Sequence, residues 1–174
     1  MKITTALLWL TLIGGVAKIG VSGETSSLAY PTTASAVAQD YCMEDANGAG
    51  LSSRTIEKIF RFTTWKDGPG WDTAVLISSY RLTSVNQKEK TATVQVVYTV
   101  IGDLTPNKLE EKRHDKKVIL HLVKNNRQWK IDYPQIPPHI FVQTAVKHLD
   151  NLAQDDPEGS QQIRKTIDTI KAIR

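Results

Sequence analysis

The chain of 174 residues contains one cysteine, Cys42. An internal disulfide is therefore excluded, and the fold has to stand on its apolar core alone. Cys42 reads as a small buried apolar residue, with a reactive thiol or an intermolecular partner as the other reading. No apolar run is long enough to span a bilayer: Ala6–Ala17 stops at Lys18, short of the roughly 20 residues a spanning helix needs. There is no internal repeat and no low-complexity block. H-E-x-x-H, G-x-S-x-G and glycine-rich phosphate loops are all missing, and the four histidines lack zinc-ligand spacing. No metal, nucleotide or other cofactor is assigned on this pattern. A concentrated basic face is missing too. The 22 Lys and Arg against 18 Asp and Glu give +4, and setting aside Lys2 and Lys18 of the N-terminal segment leaves +2. That balance argues against a nucleic-acid partner.

What is present begins with a leader pattern. Lys2 supplies a positive n-region, Ala6–Ala17 an apolar h-region, and Val21-Ser22-Gly23 small residues at the −3 and −1 positions of a cleavage site. The expectation is a signal peptide over residues 1–23 and an exported chain, periplasmic or secreted. The competing reading is an uncleaved, tilted anchor helix running through Val21, which would tether the protein to a membrane. Glu24–Thr33, rich in Ser and Thr, reads as a short flexible arm.

Residues 34–154 read as one α+β domain, a normal length for a single core. Ala34, Val37, Ala38, Tyr41 and Cys42 recur at helical spacing, and Asn47-Gly48 ends that helix. A second helix is expected from Ser52 or Ser53, with Ile56, Ile59, Phe60 and Thr63 as its inward stripe, broken by Lys66-Asp67-Gly68-Pro69-Gly70. The period then changes to two. Strands are expected at Thr73–Thr83, Thr91–Ile101, Lys117–Lys124 and Gln128–Tyr133, forming an antiparallel meander with a loop over Gly102–Lys112. After Pro134, Pro137 and Pro138 a helix is expected over His139–Gln154. Residues 155–174 carry a last amphipathic helix with Ile163, Ile167, Ile170 and Ile173 as its stripe. Helices first and a meander after is the α+β order.

A first helix around Tyr41-Cys42, a Trp65–Trp71 junction and a strand entered as Gln128-Trp129-Lys130-Ile131 are together similar to the nuclear transport factor 2-like (cystatin-like) superfamily. The resemblance spans Ala34–Tyr133 and is one of topology. It implies a curved sheet wrapped around N-terminal helices as a cone, with a pocket at one end and a tendency to pair into homodimers. The superfamily holds enzymes, ligand carriers and secretion-system parts, so the resemblance alone selects no activity.

The densest unusual cluster is Trp65-Lys66-Asp67-Gly68-Pro69-Gly70-Trp71-Asp72. It reads as an aromatic lip over a pocket mouth or as a plug where helix meets sheet. His121 lies between Leu120 and Leu122 and shares a face with Ile119 and Val123, as a pocket hydrogen-bonder, a general base or a satisfied structural histidine. Tyr80, Tyr98 and Asp45 would complete an acid–base set with His121, although Asp45, near a helix end, reads more simply as solvated. His139 and His148 fall on opposite sides of one expected helix. The mixed-charge run Lys108–Lys117 reads as a solvated loop, and Arg164, Lys165, Lys171 and Arg174 make the last helix mildly basic, able to dock on a partner, on anionic lipid or on its own domain. The function expected is a non-enzymatic exported domain that binds a small apolar ligand or a protein partner. Its ligand-binding set is Trp65, Trp71, Tyr98 and His121, with no catalytic residue assigned. The alternatives are an isomerase or hydrolase using His121 or Asp45, and a membrane-tethered assembly component.

Overall fold

A computed structural model describes residues 30–155 and 157–173. The leader and residues 24–29 of the expected arm lie outside the described residues. The last four residues of that arm are docked. Tyr30 packs beside Phe62 with its hydroxyl donating to the Trp129 carbonyl, and Thr33 accepts the Ala36 N–H at 3.1 Å, capping the first helix.

Helix α1 spans Ala34–Ala46, and its buried face is the expected stripe extended by one turn to Asp45 and Ala46. Gly48 follows at φ 85°, where a side chain would also strike Thr144, so glycine is required at this turn. The second helix is shorter than its stripe suggested. A single 3-10 turn at 49–51 and a series of turns lead to α2, Glu57–Phe60. The chain leaves α2 early because it finds strand partners. Phe62 accepts the Ile131 N–H at 2.8 Å, and Thr64 donates its N–H to the Ile131 carbonyl at 2.9 Å. Ile59, Phe60 and Thr63 are nonetheless buried.

Five strands follow: β1 (Ala74–Gln87), β2 (Thr91–Thr105), β3 (Lys108–Asn125), β4 (Gln128–Tyr133) and β5 (His139–Phe141). Their order in the sheet is β4-β3-β2-β1-β5. The first four form the expected antiparallel meander. The sheet as a whole is mixed, not antiparallel, because β5 runs parallel to β1, pairing Val75 with His139 and Ile77 with Phe141. His139 therefore belongs to a strand, and helix α3 starts after it, at Val142–Asp155. The expected loop at Gly102–Lys112 is also strand. Its charged side chains face solvent while its backbone is paired, and β2 returns as β3 through Pro106-Asn107. Gly102 makes this close approach possible, since a Cβ there would lie 2.2 Å from the Glu110 carbonyl oxygen. Register shifts in β1 near Ile77 and Leu82, and in β2 at Val100/Gly102, curl the sheet.

The architecture is three-layered. The inner face of the sheet (Val94, Val96, Tyr98, Val100, Leu120, Leu122) closes over α1 and α2. The outer face at Ala74, Leu76, Ile101, Leu104 and Ile140 is covered by α3 and by α4, Ser160–Lys171. Each fully buried Leu, Ile or Val in these layers contributes about 1.5–3 kcal/mol of transfer free energy. The isoleucine stripe of α4 is spent on its own domain, with Ile163, Ile167 and Ile170 all buried. No helix among the described residues is long and apolar enough to cross a membrane.

Candidate functional site

A cavity of about 180 Å³ opens between the helical layer and the loop that joins α2 to β1. The apolar face of α2 and its approach supply Ile56, Ile59 and Phe60. The loop supplies Trp65, Gly68, Pro69, Gly70 and Trp71, and the segment before β5 supplies Gln135, Ile136 and Pro138. Helix α1 contributes Tyr41 and Asp45, one turn apart on its inward face. Gly50, in the 3-10 turn, completes the lining. A Cβ at Gly50 would sit 3.6 Å from Asp45 Oδ1 and 3.5 Å from Pro138 Cγ, so the bare backbone there leaves that oxygen uncovered.

Asp45 is the charged residue of the site. It is only 4 % exposed, and its Oδ2 accepts the backbone N–H of His139 at 2.9 Å. Burial pushes its carboxyl up to about 7, with the His139 N–H pulling the other way. His139 itself is fully buried. Its Nδ1 lies 2.7 Å from the Pro137 carbonyl, which can only accept, so Nδ1 carries the proton and Nε2 is bare. Among the described residues Nε2 has no hydrogen-bond partner. Burial first, and then Lys116, push His139 down to about 3, against the Pro137 carbonyl. Asp45 Oδ2 and His139 Nδ1 are 4.0 Å apart, and with the Nδ1 proton committed to Pro137 the two form no ion pair.

Behind His139 the core continues as polar packing. Its ring stacks on Tyr98 with centroids 4.2 Å apart, and the Tyr98 hydroxyl meets Cys42 Sγ at 3.3 Å. Burial pushes the Cys42 thiol up to about 12, so it stays protonated and is a poor nucleophile. The Tyr41 and Tyr98 hydroxyls are also raised, mainly by burial. Tyr80 is half-buried, accepts from Gln39 Nε2 at 3.0 Å and stacks on Phe141.

The residues singled out from sequence are dispersed. Trp65 and Trp71 come together on the cavity wall, Trp65 half-buried and Trp71 46 % exposed. Tyr98 sits in the core behind the cavity and does not line it. His121 lies on the outer face with Ile119, which is 49 % exposed, because Leu120 and Leu122 take the inner face. There it stacks on Tyr133 at 3.9 Å and edges a separate depression with Asn86, Lys88 and Thr93. His148 edges a third depression, of about 140 Å³, on the other side of Trp71. Asp45, read from sequence as solvated, is at the cavity. The helical face that was recognised continues to it, at i+4 from Tyr41 and i+3 from Cys42. His139 gave no such signal, since its role depends on a short parallel strand.

The arrangement offers one buried carboxyl group to a cavity walled by aromatic and aliphatic side chains. Nothing else with a perturbed acid or base lines that cavity except Tyr41. Among the described residues no group of three or more His, Cys, Asp or Glu is placed to hold a metal ion. No family model matches the chain, and no curated protein or solved structure matches it.

Proposed function

We propose that the chain is an exported, non-enzymatic binding domain of the nuclear transport factor 2-like type, holding a small, largely apolar ligand under the Trp65–Trp71 loop. The cavity carries this reading: about 180 Å³, walled by Trp65, Trp71, Phe60 and three isoleucines, with one polar anchor at Asp45. Such a combination of apolar walls and few placed polar groups is what a small-molecule site needs. The superfamily assignment is supported by helices packed against the inner face of a curled sheet. The export assignment rests on the leader pattern at residues 1–23. An acid–base pair of His121 and Asp45 has no support, since the two line different cavities.

The test follows the indole N–H resonances of Trp65 and Trp71 during titration with a panel of small apolar compounds, with the buried Trp129 as internal control. A binding compound shifts the first two and leaves Trp129 in place, and Trp71→Ala weakens its affinity about tenfold, the loss of one aromatic wall. A panel that moves neither indole overturns the reading. N-terminal sequencing of the protein recovered outside the cytoplasm tests export separately, the expected first residue being Glu24.

A further inference from the structure

We infer that the ligand is a small organic cation, its ammonium group held against the aromatic walls with its charge beside Asp45. This inference rests on the cavity being the binding site and adds the chemical class of what enters it.

The cavity has one charge and four aromatic rings. Tyr41, Phe60, Trp65 and Trp71 present π-systems, whose negative faces attract cations. Asp45 is the only Asp, Glu, Lys, Arg or His among the residues that line it. Its carboxylate has about four acceptor positions and, among the described residues, accepts a single hydrogen bond, from the His139 N–H to Oδ2. Oδ1 faces Gly50, where the missing side chain leaves it open. A buried anion satisfied by one donor is incomplete.

Among the described residues no Lys or Arg pairs with Asp45. On α1, Tyr41 and Cys42 are neutral. The β5 imidazole is neutral with its proton given to Pro137, and Tyr98 of β2 is neutral with its hydroxyl on Cys42. Lys58 pairs with Glu44 at 3.8 Å, and Lys66 donates to the Phe60 carbonyl at 2.9 Å. Lys116 of β3 acts on His139 and not on Asp45.

The sign of the ligand charge follows. Above about pH 7, where Asp45 is ionised, an anion would be repelled by it and a neutral ligand would leave the carboxylate without a counter-charge. A primary ammonium brings three N–H donors, and Asp45, the Gln135 amide and the Tyr41 hydroxyl offer acceptors for them. A quaternary ammonium brings none and answers the charge of Asp45 alone, which makes choline a probe of charge without hydrogen bonding. Because Asp45 titrates at about 7, affinity for such a cation is constant above that pH and falls about tenfold per unit below it.

The experiment compares choline with its neutral isostere 3,3-dimethyl-1-butanol, using the Trp65 and Trp71 indole resonances and calorimetry at pH 8.5 and pH 5. The expected result is at least tenfold preference for choline at pH 8.5. That preference disappears at pH 5 and in Asp45→Asn. Gly50→Ala, whose added methyl makes ordinary contact with Oδ1 and Pro138, selectively weakens choline and serves if Asp45→Asn does not fold. Equal or tighter binding of the isostere at pH 8.5 overturns the cation inference and leaves the cavity reading standing. A choline preference that survives in both Asp45→Asn and Gly50→Ala also overturns it. If neither compound moves the indoles while other apolar compounds do, the inference alone fails. If nothing moves them, both readings fail.

Discussion

The two faces of the sheet bury side chains to the same depth with different chemistry. The outer layer is hydrocarbon: Leu76, Ile140, Leu149, Ile163, Ile167 and Ile170. Its one buried polar side chain, Thr166, donates to the Gln162 carbonyl one turn back at 3.2 Å and asks nothing of its neighbours. The inner layer buries Asp45, His139 and Thr63 among its apolar residues, with Tyr98 and Cys42 beside them. Burying a polar group without full compensation costs free energy that the same volume of hydrocarbon would return. His139 Nε2 is such a case, fully buried and unpartnered among the described residues. The outer layer is therefore built for stability, and the inner layer gives up stability around a cavity.

The largest expected effect at a single pH belongs to the outer layer. Leu149→Ala or Ile170→Ala removes a side chain at most 1 % exposed and costs about 3 kcal/mol in chemical denaturation. Ligand affinity, measured where the variant is still folded, stays at the wild-type value. A loss of affinity without loss of stability would break the division between the layers.

The next effect separates the layers by pH. In the unfolded chain Asp45 titrates near 3.8 and His139 near 6.5, whereas in the folded protein they stand at about 7 and about 3. Asp45 taken alone binds more protons when folded, so its contribution to stability is full below pH 4 and is lost as pH rises through 7. His139 taken alone binds fewer protons when folded, so its contribution is full above pH 6.5 and is lost as pH falls towards 3. Between about pH 4 and 6.5 the folded protein keeps one proton on Asp45, and the unfolded chain keeps one on His139. The proton count is equal and the two slopes cancel. His139→Gln is expected to expose the Asp45 slope, stability falling with rising pH by about 1.4 kcal/mol per unit between pH 4 and 7. Asp45→Asn is expected to expose the opposite slope between pH 3 and 6.5. Denaturation midpoints across that range are the measurement. Leu149→Ala, which changes no titrating group, should run parallel to wild type.

Much of this division was legible in the sequence, and the misses have physical causes. The inward face of α1, the four meander strands and the isoleucine stripe of α4 were readable, because periodicity reports which side of an element is dry. The pairing of Trp65 with Trp71 across a Gly-Pro-Gly turn was visible as a cluster. The burial of Asp45 was hidden by its residue type. A carboxylate near a helix end is usually solvated, and only the tertiary packing of the segment that brings the His139 N–H to it buries it. The β5 strand was hidden because three residues carry no period, and its pairing with β1 is entirely long-range. The strand character of Lys108–Lys117 was masked by charge, since a solvent-facing strand needs only backbone pairing from its neighbours. His121 was placed in the ligand-binding set for a related reason. Alternation shows that it opposes Leu120 and Leu122, but not which set faces the core.

The smallest effect tests whether the inner polar contacts stabilise the fold at all. The Tyr98 hydroxyl and Cys42 Sγ, 3.3 Å apart, are each other's buried hydrogen-bond partners. A thiol is a weak acceptor and a weak donor, so the contact itself contributes little, and most of its value is that neither group is left alone. The two single substitutions should then differ. Tyr98→Phe leaves behind only a thiol, which tolerates apolar surroundings, and costs about 0.5–1 kcal/mol. Cys42→Ala strands a phenolic hydroxyl in the core and leaves a small void, and costs about 1–3 kcal/mol. The double variant Cys42→Ala with Tyr98→Phe should cost less than the sum of the two, because the stranded hydroxyl is gone. A coupling of about 0.5 kcal/mol or more in this double-mutant cycle places the contact among the compensated polar groups. Zero coupling, with Tyr98→Phe as stable as wild type, would mean that the hydroxyl is already carried as a cost, and the inner layer would be still more clearly the one that trades stability for its cavity.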